Sequence, residues 1–568
     1  MVVETRTPQP LSEASPWVTR ISGDDLEQRQ IYNLSDALRS VPGMAVARTG
    51  QMGSQTSLFS RGGASNHTAF IYEGRKLNGG FSGTYNLGEL STWGASSIEV
   101  LKGASSINGA NAMGGTVHMR NELLLIDGYD SKSGFSYGSF DTWNSNFSTR
   151  FKNGNWAGSF SFSSLDTEND RPHSKFESLS SSLLIENKFP DGLSINVLGL
   201  GYNNYLGSNF NKNSILYPIS PNNYQETEHF LISPQLKVQT DVWDASVNYS
   251  YSEDELNYTP SWNMLYWTEQ ENVDFLSDYI LTDRSSFQFG LGYSTSRFFR
   301  EGVYLNSWEQ SFASFGLKHE ISKDTELNGN IRFSDYSDFE SSETYDLKLI
   351  KSMSENFSIY AKISTGFTPP EALDLYKYGD GYPGNPDLVA EEVRNYEVGF
   401  SHNDHTRRHA MNISLFFTEF KNLIDAPWGV TPKNIGNSES FGIEFSSQNK
   451  VSDSLSLSSS VTYLRSKDLD NKKDFLPKRP EFFGSVSAEY DLKKIILGTQ
   501  MNFRNNAKEN ETTEMDDYAT FRLFGNYEVS DHLVFNARIE NIFDEKYEEV
   551  IGYPALGRAI HAGFSYNF

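Results

Sequence analysis

The chain contains no cysteine. That excludes a disulfide scaffold, a thiolate metal site and a cysteine nucleophile. It also contains no run of about 18 apolar residues, which excludes transmembrane helices. A basic excess is missing as well: 48 Lys and Arg stand against 73 Asp and Glu, a net charge of −25. A chain so acidic lacks the electrostatic footprint of a nucleic-acid binder. The first residues, MVVETRTPQP, have neither a basic nor an apolar leader region. The expectation is a cytoplasmic protein or the processed form of an exported one, and the remaining sequence decides for the second. A nucleophile–base spacing, a zinc-protease motif and a phosphate loop are all missing, so no enzyme is expected. The glycines of 103–115 do not follow a dinucleotide fingerprint and read instead as tight turns.

What the chain does have is aromatics, 14% of all residues, with 44 glycines. Its texture changes near residue 122. Before that point the pattern is mixed. Asn33 is placed to cap a helix, with Asp36 three residues on. Leu34, Ala37, Leu38 and Val41 then share one helical face, and Pro42-Gly43 ends it. Short strands are expected at 68–72, 98–101 and 116–119, and the whole reads as a small α/β unit.

After residue 122 a period of two takes over. Ala245, Val247, Tyr249 and Tyr251 alternate with Ser246, Asn248 and Ser250; Val486, Ala488 and Tyr490 alternate with Ser485, Ser487 and Glu489. Phe287, Phe289, Leu291 and Tyr293 form another apolar face. One apolar and one small polar face mean a sheet between two solvents. A soluble sandwich also alternates, but here aromatics recur near strand ends, as lipid interfaces require. Long polar segments (203–225, 377–385) alternate with short turns (403–407). The chain ends on Phe564, Tyr566 and Phe568, one aromatic face that would be an aggregation-prone edge unless a barrel closes over it. At roughly 20 residues per strand with its connection, the segment after 122 holds about 22 antiparallel strands. A barrel that wide needs a plug, and the first unit has the right size. The expected fold is therefore an all-β membrane barrel with a small N-terminal α/β plug domain: coupling segment 1–15, plug 16–122, barrel 123–568.

The residues themselves resemble the TonB-dependent outer-membrane receptors. LSDALRSVPGMAV (34–46), SRGGASNHTAFIYEGRKLN (60–78) and IEVLKGASSINGANAMGGTVHM (98–119) are similar to that family's plug, with Glu73-Gly74 in place of an Asp-Gly turn and Lys102-Gly103-Ala104 in place of Arg-Gly-Pro. GFTPPEALDLY (366–376), GNPDLVAEEVRNYEVGF (384–400), NIGNSESFGIEF (434–445), LPKRPEFF (476–483) and ARIENIFDEKYEEVIGYPALGRAI (537–560) are similar to its barrel. Within the family, the segments look most like the cobalamin-receptor branch.

This resemblance implies an outer-membrane importer of a Gram-negative bacterium, its leader removed. It would be driven by the inner-membrane proton gradient through TonB with ExbB and ExbD, surrounded by outer-membrane lipid and working as a monomer. Val2, Val3, Glu4 and Thr5 would be the coupling box, offered as an added strand. Gln51, Ser54, Gln55, Asn78, Phe81, Ser82 and Tyr85 would line two plug apex loops. Such uncharged amides, hydroxyls and aromatics suit a large neutral ligand. A corrinoid is the leading substrate and a ferric siderophore the alternative. No cofactor is required. By the same resemblance, Glu168 and Asp170 are candidates for an outer-loop calcium site, set against the ordinary reading of a solvated acidic loop. Arg61 is expected to anchor the plug by pairing with barrel-wall Glu or Asp. His402, His405 and His409 are closely spaced but lack the cysteines usual in structural zinc sites. A passive porin or adhesion barrel is the contrasting class, and it would need no plug.

Overall fold

The computed structural model describes residues 2–5, 7–9, 18–79, 81–207, 223–259, 264–376, 383–404, 408–426 and 430–568. Twenty-two antiparallel strands form a closed barrel that begins at Gly128–Gly138 and ends at Ala559–Asn567. Closure runs from Lys132↔Asn567 to Gly138↔His561. The aromatic final strand is thus sealed against the first, and no barrel strand keeps a free edge.

Alternation along each strand becomes inside and outside. Val247 and Tyr249 face outward while Ser250 and Ser252 are buried in the lumen. Val486 is outward between buried Ser485 and Ser487. Phe564 and Tyr566 point out on either side of buried Ser565. The outer wall therefore carries leucine, isoleucine, valine and phenylalanine, including Leu347, Leu349, Ile331 and Phe333. Trp156, Phe189, Trp243, Tyr279, Phe357, Tyr490 and Tyr527 crowd its short-turn end. That is the distribution a lipid slab with polar interfaces selects.

The two ends differ. Turns such as 154–155, 283–284 and 323–324 close one end, while connections such as 369–390, 469–481 and 541–558 rise from the other. Some connections are shorter than their sequence suggests. Strands Leu193–Gly207 and Tyr224–Gln239 extend into the polar stretch expected as loop from 203, and residues 208–222 lie outside the described residues. The reason is pairing: Gly207↔Tyr224 continues the ladder beyond the membrane, where polar side chains suit both faces. Within the expected loop 377–385, residues 377–382 are also outside the described residues, as are 405–407 of the expected turn.

Residues 18–120 fill the lumen. Val18–Ser22, Ser97–Lys102, Gly115–Arg120, Thr68–Tyr72 and Arg75–Lys76 form one sheet in that order, with Thr68–Tyr72 parallel to Gly115–Arg120. The hairpin Met44–Arg48/Thr56–Ser60 lies beside it. Glu73 and Gly74 both have positive φ (47° and 81°) and join Tyr72 to Arg75 in a two-residue turn, the geometry that right-twisted strands prefer.

Asn33 caps the helix as expected, its Oδ1 accepting from Ser35 N at 2.9 Å. The helix is only Leu34–Leu38, one turn short of Val41. Asp36 does not close a capping box; it pairs with Arg39 (3.6 Å) and Arg48 (3.2 Å). A second helix, Gly23–Gln28, went unread despite its Ser22/Asp25 capping box. Leu26, Leu34, Leu38, Val46, Leu58, Phe70, Ile98, Val100 and Val117 make the plug core, which continues into barrel-wall Leu184, Leu198, Leu200, Tyr202 and Leu231.

Candidate functional site

The plug is seated by charge on much of its circumference. Arg61 is fully buried. It donates Nη1 and Nη2 to Glu397 (2.7 and 3.0 Å) and Nε and Nη2 to Glu444 (2.7 and 2.9 Å). Both carboxylates come from barrel strands, Glu391–Asn403 and Lys433–Lys450. Lys102 of the plug adds a second cation 3.0 Å from Glu444. Tyr360 and Ser414 also donate, to Glu397 Oε1 and Glu444 Oε2, at 2.7 and 3.0 Å. The guanidinium lies over Phe416, 4.6 Å from the ring centre. Two plug cations thus meet two wall anions, which is the anchoring expected of Arg61. The close approach depends on Gly43 (φ 82°), where a Cβ would strike the Glu444 carboxylate.

A second seat joins the plug to the connection 541–558. Arg39 makes a fork to Glu549 (2.6 and 2.9 Å), and Arg48 N and Tyr518 Oη also donate to that carboxylate. His67 meets Glu391 at 3.0 Å, and Arg29 meets Glu489 at 2.7 Å.

The predicted apex residues fall on two plug loops at the long-loop end, and most are covered there. Gln51 is buried; its Nε2 donates to Pro554 O (2.9 Å) and its Oε1 accepts from Asp170 N (3.2 Å). Asn78 is buried and bonds the backbone of Phe70, Thr68 and Gly83, which makes it a brace for its own loop. Phe81 packs between Tyr266 (4.8 Å between ring centres) and Phe298 (5.6 Å). Tyr85 packs on Phe70 at 5.1 Å. Ser54 and Ser82 are half-buried, and Gln55 is exposed.

What covers the second apex loop is a strap from the connection 369–390. Its short helix Ala372–Leu375 sits on Phe81, with Leu373 N donating to Phe81 O at 3.0 Å. Glu371 accepts from Asn66 of the plug at 2.8 Å. Asp374 accepts from Glu371 N. Around it, Tyr266, Phe298, Trp308 and Tyr376 form an aromatic nest. Sequence reasoning had matched 366–376 to a loop but missed this contact; the alternation of apolar and acidic residues in PPEALDLY is the signal that could have found it.

Glu168 and Asp170 do not converge on a cation. Glu168 faces Lys175 (3.9 Å), which also draws Asp166 and Glu177, and Asp170 Oδ2 accepts from Gly557 N at 3.0 Å. Among the described residues no group of three or more His, Asp or Glu is placed to hold a metal. His402 packs against Phe357, and His409 contacts Asn449; His405 lies outside the described residues. Val2–Thr5 runs as a strand antiparallel to Thr7–Gln9.

A closed 22-strand barrel with a lipid-facing wall, corked by an N-terminal domain seated through buried ion pairs, defines a plug-gated outer-membrane transporter. Residues 52–542 match the family described as "TonB dependent receptor-like, beta-barrel". The chain belongs to the TonB-dependent receptor family, whose members are transporters and receptors, not enzymes. It is 23% identical to the vitamin B12 transporter BtuB of Vibrio vulnificus, over all of this chain and 95% of that one. The Vibrio cholerae BtuB is also 23% identical, with the same coverage. Among solved structures, the ferric yersiniabactin uptake receptor FyuA of Yersinia pestis superposes with a TM-score of 0.84 at 15% identity, over 97% of each chain. The ferripyoverdine receptor of Pseudomonas aeruginosa gives 0.82 at 15%, over 99% of this chain and 88% of that one. These likenesses carry the fold. The protein is an outer-membrane transporter dependent on TonB.

Proposed function

We propose that this transporter imports a corrinoid, and that Val2, Val3, Glu4 and Thr5 pass the pull of TonB, with ExbB and ExbD behind it, to the plug. The observation that carries the substrate reading is alignment along the whole chain with proteins named vitamin B12 transporters. The chemistry of the apex agrees: residues 50–55 and 78–87 contain no charged side chain. A large neutral ligand rich in amides would desolvate no unmatched ion at these loops, where Ser54, Gln55 and Ser82 stay at least partly accessible. An anionic ferric siderophore would have to approach a chain of net charge −25.

Titrating the detergent-purified protein with cyanocobalamin, and in parallel with ferric siderophores, tests the substrate. Saturable corrinoid binding at micromolar concentration is expected. Siderophore binding in its place overturns the reading. Deleting residues 2–5 is expected to leave binding intact and abolish energised uptake; uptake that survives the deletion removes the coupling role.

A further inference from the structure

Glu89 is a buried carboxyl on the plug, and its surroundings differ from those of every plug anchor described above. It is 6% exposed, and no lysine or arginine pairs with it among the described residues. Its Oε1 accepts from Asn86 Nδ2 of its own loop (2.8 Å) and from Thr227 Oγ1 of the barrel wall (3.1 Å). Strand Tyr224–Gln239 also supplies His229, whose Nδ1 is held by Asp254 at 2.8 Å. The other ring nitrogen of His229 has no hydrogen-bond partner among the described residues. Asp254 comes from strand Trp243–Thr259. Tyr202, from strand Leu193–Gly207, stacks on His229 with ring centres 4.9 Å apart, and Tyr85 of the plug loop packs on this side too. Glu89 is therefore faced by one carboxylate, one histidine already committed to that carboxylate, two phenols, an amide and a hydroxyl. Leu198 and Leu200 share a strand face with Tyr202, and Leu231 shares one with Thr227 and His229, where the plug core merges with the wall.

From this arrangement we propose that the plug loop 81–91 seats against the barrel wall in a proton-linked way: Glu89 enters its niche protonated and becomes a carboxylate when the loop leaves. A charged carboxylate buried without a cation is costly, whereas a neutral carboxyl can accept from Thr227 and Asn86 and offer its own proton. Burial pushes the group up, Asn86 and Thr227 pull it down, Asp254 raises it, His229 lowers it, and the balance stands at about 7. The sign follows. The seated loop holds the proton and the released loop does not. Seating is therefore strongest below the ordinary glutamate range, weakens as pH rises, and has lost this contribution above about pH 7. The docked loop carries the apex residues Phe81, Ser82 and Tyr85, so withdrawing it from the wall releases a proton into the lumen.

Amide exchange of residues 81–91 in the detergent-purified protein, corrected for intrinsic rates, reads this directly. The expected result is an opening equilibrium at least about tenfold larger at pH 8 than at pH 5, and flat with pH in Glu89→Gln. Thr227→Val removes a donor that favours the charged form and is expected to move the midpoint to higher pH. A flat wild-type profile overturns the proposal. So does a pH dependence that survives in Glu89→Gln or disappears in His229→Gln, since His229 would then be the titrating group. A midpoint unmoved in Thr227→Val counts against it in the same way. None of these outcomes depends on which substrate is carried.

Discussion

Replacing Arg61 by methionine keeps an unbranched stem and removes the guanidinium charge with the four hydrogen bonds it donates. Before the change, Arg61 and Lys102 balance Glu397 and Glu444. Afterwards Glu444 keeps Lys102, while Glu397 keeps only the Tyr360 hydroxyl among these direct contacts. Breaking a buried pair by removing one partner costs about 3–5 kcal/mol. A second route gives a similar figure. The stranded carboxyl escapes its charge by binding a proton, which for an ordinary glutamate at pH 7 costs about 3–4 kcal/mol. Amide exchange in the plug hairpin Met44–Arg48/Thr56–Ser60, beside Arg61, reports the loss. Opening there is expected to increase by about two to three and a half orders of magnitude at pH 7, and by less at pH 5. Arg61→Lys keeps the charge but not the double fork, so its effect is expected to be intermediate. The double variant Arg61→Met, Glu397→Gln, which leaves Lys102 paired with Glu444, is expected to recover much of the loss. The barrel, read by its heat-dependent mobility in detergent gels, stays folded in all three. Exchange in Arg61→Met within fivefold of wild type would refute the reasoning.

Three other outcomes are expected. Burial alone would raise Glu549, but Arg39 outweighs it and holds the carboxyl at about 2. This contact contributes above the ordinary glutamate range and is lost as pH falls from about 4.5 toward 2. Glu549→Gln should weaken it by about 2–3 kcal/mol, seen as faster exchange in Leu34–Leu38; unchanged exchange would show the fork to be inert. In the strap, burial raises Glu371 and pushes Asp374 up to about 6, so both favour the seated form when protonated. Protection of 371–376 should therefore fall as pH rises through about 6, and Phe81→Ala should loosen the strap by about 3 kcal/mol at any pH. Leu347 faces lipid near the middle of its strand, so Leu347→Arg should destabilise the barrel by about 2–4 kcal/mol in a denaturant titration in lipid vesicles.

Legibility followed the physics of each region. The barrel was readable because one alternation records two solvents: Val486 between Ser485 and Ser487 states the lipid face and the lumen face at once. Strand number followed from chain length, and closure from an aromatic terminus that no open edge tolerates. In the plug, strands Thr68–Tyr72, Ser97–Lys102 and Gly115–Arg120 were visible as short apolar runs. Their mixed order was not, because it depends on contacts some fifty residues apart in sequence. Arg61 could be read as an anchor but its partners could not: Glu397 and Glu444 are two of many glutamates, each 336 or more positions away. The expected apex residues sit on two plug loops, where Gln51, Asn78 and Phe81 are covered. Sequence gives a side chain's chemistry, whereas the strap that covers Phe81 comes from nearly 300 residues further on.

The choice of ion pairs for the plug's seat calls for an explanation beyond stability. Replacing buried ion pairs by well-packed apolar groups is often neutral or stabilising, and the plug already merges with the wall through Leu184, Leu198, Leu200 and Leu231 on one side. An entirely apolar seat would hold at least as well. The difference appears when the seat must open. Separating apolar faces in water exposes surface at roughly 25 cal/mol per Å² with nothing returned. Separating Arg61 from Glu397 and Glu444, or Arg39 from Glu549, returns to each ion the hydration it lost on docking. Charge therefore makes a contact that is specific when dry and reversible when wet. A plug that is displaced and reseated, as proposed above, needs both. It follows that Arg61→Met, Glu397→Gln, expected above to recover much of the lost seating, should bind substrate normally yet import it more slowly. Uptake at the wild-type rate, measured in cells with equal receptor levels, would show that the charges serve folding alone.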